Sequence, residues 1–154
     1  MKLLILSYYY YPDMSAGSFR IKSVVDSLVS LQNLNPDLEI DLVCSSPNRY
    51  KNYRPKIDDT KKEKINIKRI PVNKHSSGII AQSIAFLIFA IGVLKTTKNH
   101  EYDIIFASSS RLMTAALAAF LSKKNNTLLY LDIRDIFLDT INNIYKSKIF
   151  FFIK

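Results

Sequence analysis

Short apolar runs alternate with segments whose apolar residues recur every three or four positions, along the whole chain. This alternation predicts an α/β fold, a Rossmann-like, doubly wound parallel sheet in three layers. Leu3–Ser7 is apolar until its last residue, as expected of a strand covered on both faces. Pro12, Asp13 and Gly17 mark a loop over Tyr8–Gly17. From Ser18 a helix is expected, with Ile21, Val24, Val25, Leu28 and Leu31 at helical spacing. Glu39–Ser45 reads as a second strand, and the polar stretch 46–64, broken by Pro47 and Pro55, as a long exposed loop. Ile65–Val72 sets Ile65, Ile67 and Arg69 against Asn66, Lys68 and Ile70, the alternation of a strand near a sheet edge. Tyr102–Ala107 and Thr127–Leu131 predict two further strands, and Arg111–Lys123 and Ile136–Lys146 two further helices. The tail Lys148–Lys154, with Phe150, Phe151 and Phe152, reads as an apolar patch that needs a partner surface.

Ile79–Leu94 is the most apolar stretch, interrupted by Gln82 and Ser83 and closed by Lys95 and Lys98. It is shorter than the ~20 apolar residues of an ordinary spanning helix. Three readings stand: a deeply buried crossover helix, a helix partly facing a membrane interface, and a span. The first is preferred, because apolarity all round a helix is first a signal of burial.

Composition narrows the function classes. A chain of 154 residues with 48% apolar content is one domain with a sizeable core, which excludes disordered and fibrous classes. The single cysteine, Cys44, excludes an internal disulfide framework and points to a reducing compartment, the cytoplasm. The apolar start Leu3–Leu6 is too short for a signal peptide. A net charge of +9 favours anionic neighbours: nucleic acid, acidic lipid or phosphorylated ligands. Nucleic acid is the least favoured, since no motif interleaves the lysines with stacking aromatics. Compositional bias toward lysine and asparagine explains the same charge.

Candidate chemistry gathers where ligands of such sheets bind, at the carboxyl ends of the strands and where strand order reverses. The first and fourth strands are expected to flank that point. Gly17 stands before the first helix, where the lack of a Cβ lets a ligand approach the helix amides; any turn uses a glycine equally well. Arg20 can grip a phosphate or carboxylate with its two-pronged donor face, or simply be an exposed first-turn residue. Ser108, Ser109 and Ser110 follow the fourth strand. Ser110 reads first as the N-cap of a helix starting at Arg111, and Ser108 and Ser109 as contacts to sugar or phosphate. Asp132, Ile133, Arg134 and Asp135 form a charged corner after the fifth strand, with Asp132 and Arg134 on one side. Asp135 serves either as an N-cap or, beside an arginine, as a group that holds sugar hydroxyls or accepts a proton. His75 and His100 lack partners at metal-ligand spacing and read as surface residues, so no metal is expected. Without G-x-G-x-x-G or a P-loop, a nicotinamide or ATP site is not expected.

Three ordered segments carry a family resemblance. Met1–Asp13 (MKLLILSYYYYPD) followed by Ala16–Arg20 (AGSFR), Tyr102–Ser110 (YDIIFASSS), and Tyr130–Phe137 (YLDIRDIF) together resemble the N-terminal domain of GT4-type bacterial glycosyltransferases with the GT-B fold. The third segment is similar to the corner of the subgroup that builds O-antigen and capsule polysaccharides, with Phe137 in place of a tryptophan. The resemblance implies the acceptor-side half of a retaining, two-domain enzyme that transfers a sugar from a nucleotide-sugar donor. It implies Gly17 near the donor phosphates, Ser108–Ser110 lining the cleft, and Arg134 and Asp135 close to where relatives place a site histidine. With the residue readings above, Ser18, Arg20 and Asp132 complete the candidate binding set, and Arg134 and Asp135 are the candidate catalytic pair. The family's site histidine has no counterpart there. The donor-binding E-x7-E segment belongs to a C-terminal domain that residues 1–154 do not include, so this chain alone is expected to be inactive. The implied acceptor is a lipid-linked saccharide and the implied location is cytoplasmic, peripheral at the inner membrane face. A self-standing Rossmann-like binding module is the alternative.

Overall fold

The computed structural model of the chain describes residues 1–48, 65–72, 78–109 and 111–133. Five strands, β1 (Lys2–Leu6), β2 (Glu39–Ser45), β3 (Asn66–Ile70), β4 (Ile104–Ser108) and β5 (Leu128–Asp132), alternate with three helices, α1 (Ala16–Gln32), α2 (Ile79–Thr97) and α3 (Leu112–Asn125). The strands pair in the order β3-β2-β1-β4-β5, all parallel. Strand order therefore reverses between β1 and β4, as the sequence pattern predicts, and β3 is an edge strand. The crossover from β1 leads one way and those from β3 and β4 the other. Right-handed crossovers then put α1 on one face of the sheet and α2 and α3 on the other.

Alternation along β1 divides the core accordingly. Leu4 and Leu6 pack with Phe86, Phe89 and Val93 of α2 and Leu117, Ala118 and Leu121 of α3. Leu3 and Ile5 pack with Ile21 and Val25 of α1 and with Leu42 and Cys44 of β2. The fold is the expected three-layer, Rossmann-like α/β arrangement.

Two helix starts differ from expectation. Ser15 caps α1, its hydroxyl accepting the Ser18 N–H at 3.2 Å, so the helix begins at Ala16 rather than Ser18. Gly17 thus lies inside the first turn, buried, and no glycine in the described residues has positive φ. α3 begins at Leu112 rather than Arg111, with Arg111 extended in the N-cap position. Arg111 is held by aromatic contacts described below. At its other end α3 closes on Asn126 in the left-handed conformation, a usual role for asparagine.

α2 corrects the deeply buried reading. By length and composition it is long and apolar enough to cross a membrane, yet only 28% of that window is buried. Phe89 and Val93 are fully buried against the sheet, whereas Ile80, Ile84, Leu87 and Ile91 face outward. Gly92 marks its close approach to β3, because a Cβ there would stand 2.5 Å from Ile70 Cγ2.

The amino edge of the sheet holds a polar network. Asp41 of β2, buried, accepts the Tyr102 hydroxyl at 2.7 Å and the Asn66 amide at 3.0 Å. Burial first, and then the hydrogen bond and charge of Asp41, raise the Tyr102 phenol above its ordinary value. The folded state therefore retains this proton at pH values where the unfolded chain releases it. The contribution of neutral Tyr102 is complete below about pH 10, the unfolded phenol value, and declines as pH rises beyond it. Urea midpoints measured on either side of about pH 10 are expected to fall more steeply for the wild type than for Tyr102→Phe.

Candidate functional site at the carboxyl edge

The parallel register of β4 and β5 sets Ser108 opposite Asp132. Both end their strands at the carboxyl edge, and the Ser108 hydroxyl donates to Asp132 Oδ2 at 3.2 Å. The Ser109 N–H reaches the Asp132 carbonyl oxygen at 3.0 Å. From α1 on the facing layer, Arg20 meets the same carboxylate with both prongs, Nε to Oδ2 at 2.8 Å and Nη2 to Oδ1 at 2.6 Å. Paired prongs of this kind are among the stronger charged hydrogen bonds. The Asp132 side chain is only 10% exposed, against 54% for Arg20. The hydrogen bond from Arg20 to Asp132, and then the charge of Asp132, raise the pKa of the guanidinium. Solvent screens the exposed side of this pair, so its geometric role exceeds its contribution to stability.

Arg20, Ser108 and Asp132, from three elements, thus converge at one edge. Ser108 and Ser109 are buried, and the Ser18 hydroxyl, also buried, lies 2.9 Å from that of Ser15. Gly17 lies in the first turn of the same helix. Ser110, Arg134 and Asp135 lie outside the described residues, as does His75. His100 is half-buried at the other end of the sheet, its Nε2 3.2 Å from Lys68 Nζ. Among the described residues no group of three or more His, Cys, Asp or Glu side chains is placed to hold a metal ion.

Tyr8, Tyr9 and Tyr10, in the loop that leaves β1, are buried. The Tyr8 and Tyr9 rings meet edge to face at 4.9 Å, and Tyr8 packs on Phe89 at 5.0 Å. Burial raises the Tyr8 phenol above its ordinary value. Arg111 lays its guanidinium 4.1 Å from the Tyr8 ring centre and donates to the Tyr9 hydroxyl at 2.8 Å. A cation over an aromatic face is favourable, and it draws Arg111 out of the helix into the extended N-cap position. Arg111 was not among the candidates. Its only signal in the sequence was its place at the start of the expected helix, opposite the tyrosines once β1 and β4 are paired.

A broad hollow lies at the opposite, amino edge, lined by Lys2, Gln32, Glu39, Asp41 and Asn66 among others. The carboxyl edge is the stronger candidate, because three elements converge there at the strand-order reversal. The Asp41 carboxylate in the hollow is already engaged by Tyr102 and Asn66.

No protein-family model and no curated protein matches the chain. Among solved structures, the C-terminal domain of the PF1911 hydrogenase from Pyrococcus furiosus is similar at 12% identity and a TM-score of 0.55, over 84% of this chain and 89% of that one. Likeness at that identity shows a shared fold alone.

Proposed function

We propose that this chain is the acceptor-binding half of a two-domain, sugar-transferring enzyme, with its polar site at the carboxyl edge of the sheet. The observation that carries the reading is the meeting of Arg20, Ser108 and Asp132 beside the strand-order reversal. A carboxylate, a hydroxyl and a guanidinium are the groups that hold the hydroxyls of a saccharide and the phosphates beyond it. The three ordered segments that resemble GT4-type enzymes support the same reading. In it the donor is a nucleotide sugar held by a separate donor-binding domain. The acceptor is a saccharide on a polyprenyl pyrophosphate, met at the cytoplasmic face of the inner membrane during surface-polysaccharide synthesis. Arg134 and Asp135, next along the chain from Asp132, are the proposed catalytic pair.

One observation favours the self-standing binding module instead. The Arg20 fork is already engaged by Asp132, as in a clamp that ties α1 to β5. Titration with polyprenyl-pyrophosphate-linked saccharides, followed by amide NMR shifts, separates the two. Saccharide binding weakened about tenfold or more in Asp132→Ala, the loss of one charged hydrogen-bonding group, supports the acceptor site. Sugar transfer is expected only when a donor-binding domain is supplied. If no saccharide shifts the amides of residues 17–20, 108–109 and 132, and no supplied donor domain gives transfer, the proposal fails.

A further inference from the structure

The outward faces of α2 and α3 share one pattern. On α2, Ile80, Ile84, Leu87 and Ile91 recur three or four residues apart, which stacks them in one row along the helix. Each is between 47% and 78% exposed. Continuing the same spacing, the row ends in Lys95 and Lys98. On α3, Met113, Ala116 and Phe120 form a second outward row, which ends in Lys123 and Lys124. The rows lie side by side, for Ile91, Leu94, Lys95 and Lys98 of α2 line one shallow groove with Phe120 and Lys124 of α3. Both helices run against the strands, so all four lysines collect at the amino edge of the sheet. Neither 79–97 nor 112–125 contains an aspartate or glutamate.

A contiguous apolar patch of this kind on a soluble face marks an interaction surface. Its charge identifies the occupant. A second copy of the chain would bring no carboxylate from this face to meet the four ammonium groups. An anionic bilayer supplies both halves of the complement. Its acyl boundary takes the apolar rows, and its phosphates take lysines that extend their stems toward the headgroups. We propose that the α2–α3 face docks flat on the surface of an anionic membrane, with Ile84, Leu87, Ile91 and Phe120 entering the headgroup–acyl boundary and Lys95, Lys98, Lys123 and Lys124 pairing with lipid phosphates. The inner rows of both helices stay in the core, so the sheet lies parallel to the bilayer plane and α2 does not cross it. This surface lies on the outer side of one helical layer and is separate from the Arg20–Asp132 edge.

The chain has no tryptophan, so a single introduced indole reports on one place. Leu87→Trp on α2 is compared with Ser30→Trp on the exposed side of α1, in the opposite layer. With vesicles of phosphatidylcholine and phosphatidylglycerol, the Leu87→Trp emission is expected to shift to the blue and that of Ser30→Trp to stay in place. In co-sedimentation, replacing all four lysines by glutamine is expected to weaken binding by roughly several hundredfold, since each lysine near such a surface contributes roughly fivefold. These are surface changes, and circular dichroism with a urea melt verifies that the variants fold. Three results would each overturn the proposal: equal binding to pure phosphatidylcholine vesicles, unchanged binding of the folded lysine variant, or an emission shift at Ser30→Trp alone. A concentration-dependent dimer in sedimentation equilibrium, with no vesicle binding, would assign the face to a second copy instead.

Discussion

Phe89→Ala is expected to destabilise the protein by about 3–5 kcal/mol, the cost of removing a phenyl group from a packed core. Phe89 is fully buried and its ring packs against both Tyr8, at 5.0 Å, and Phe86, at 6.0 Å. Removing it opens a void between α2 and the loop that leaves β1. Neither neighbour closes it easily: Tyr8 is also held by Tyr9 and Arg111, and Phe86 is fixed to the same helix. In a domain whose whole stability is about 5–15 kcal/mol, a loss of that size leaves little reserve. The urea midpoint and the Tm should both drop, the latter by roughly 10 °C. Phe89→Leu, which refills most of the volume, should cost about a third as much. If Phe89→Ala costs less than about 1 kcal/mol, the packing of α2 on the sheet is not as described.

Asp41→Ala is expected to cost about 2–4 kcal/mol, because it leaves a buried partner without its acceptor. The Tyr102 hydroxyl donates to Asp41 Oδ2 from a residue that is itself buried, so losing the carboxylate leaves the phenol without its acceptor. The Asn66 amide loses the same partner, but Asn66 is exposed and rehydrates. Most of the loss is therefore assigned to Tyr102. Asp41→Asn, which keeps a carbonyl oxygen in place, should recover a large part of it. A double-mutant cycle pairing Asp41→Ala with Tyr102→Phe should show strong coupling, since Tyr102→Phe removes the orphaned group. Additive losses would mean that the two residues act independently.

Much of the fold was legible in the sequence because local pattern and tertiary role agree there. An unbroken apolar run such as Leu3–Leu6 fits a strand covered on both sides, and short strand-like runs alternating with helical spacing leave few arrangements other than a doubly wound sheet. The mixed alternation of residues 65–72 placed β3 at an edge for the same reason. The helix starts were less legible. Ser15 and Arg111 act through contacts with residues three positions on and about 100 positions back, and propensity registers only the first kind.

The candidate site divides along the same line. That Ser108 and Asp132 stand at strand ends, and Arg20 early in the helix that follows β1, was readable from order alone. That Arg20 closes on Asp132 depends on a separation of 112 residues, which no local spacing encodes. Tyr8, Tyr9 and Tyr10, which the sequence pattern placed in a loop, are core residues: Tyr8 and Tyr9 pack on the α2–α3 side beneath Arg111, and Tyr10 on the α1 side. The same limit governs Ile79–Leu94. Its composition determined that the segment is an apolar helix, but composition cannot assign residues to an inner or an outer face when almost every position is apolar. Only the sheet decided that, by covering Phe89 and Val93 and leaving Ile84, Leu87 and Ile91 outside. Among the described residues, sequence alone thus determined five strands, three helices and their order, because period is a local property; the expected helix Ile136–Lys146 lies outside them. Tertiary structure decided which side chains meet and which apolar faces stay open, because burial belongs to pairs of elements far apart along the chain.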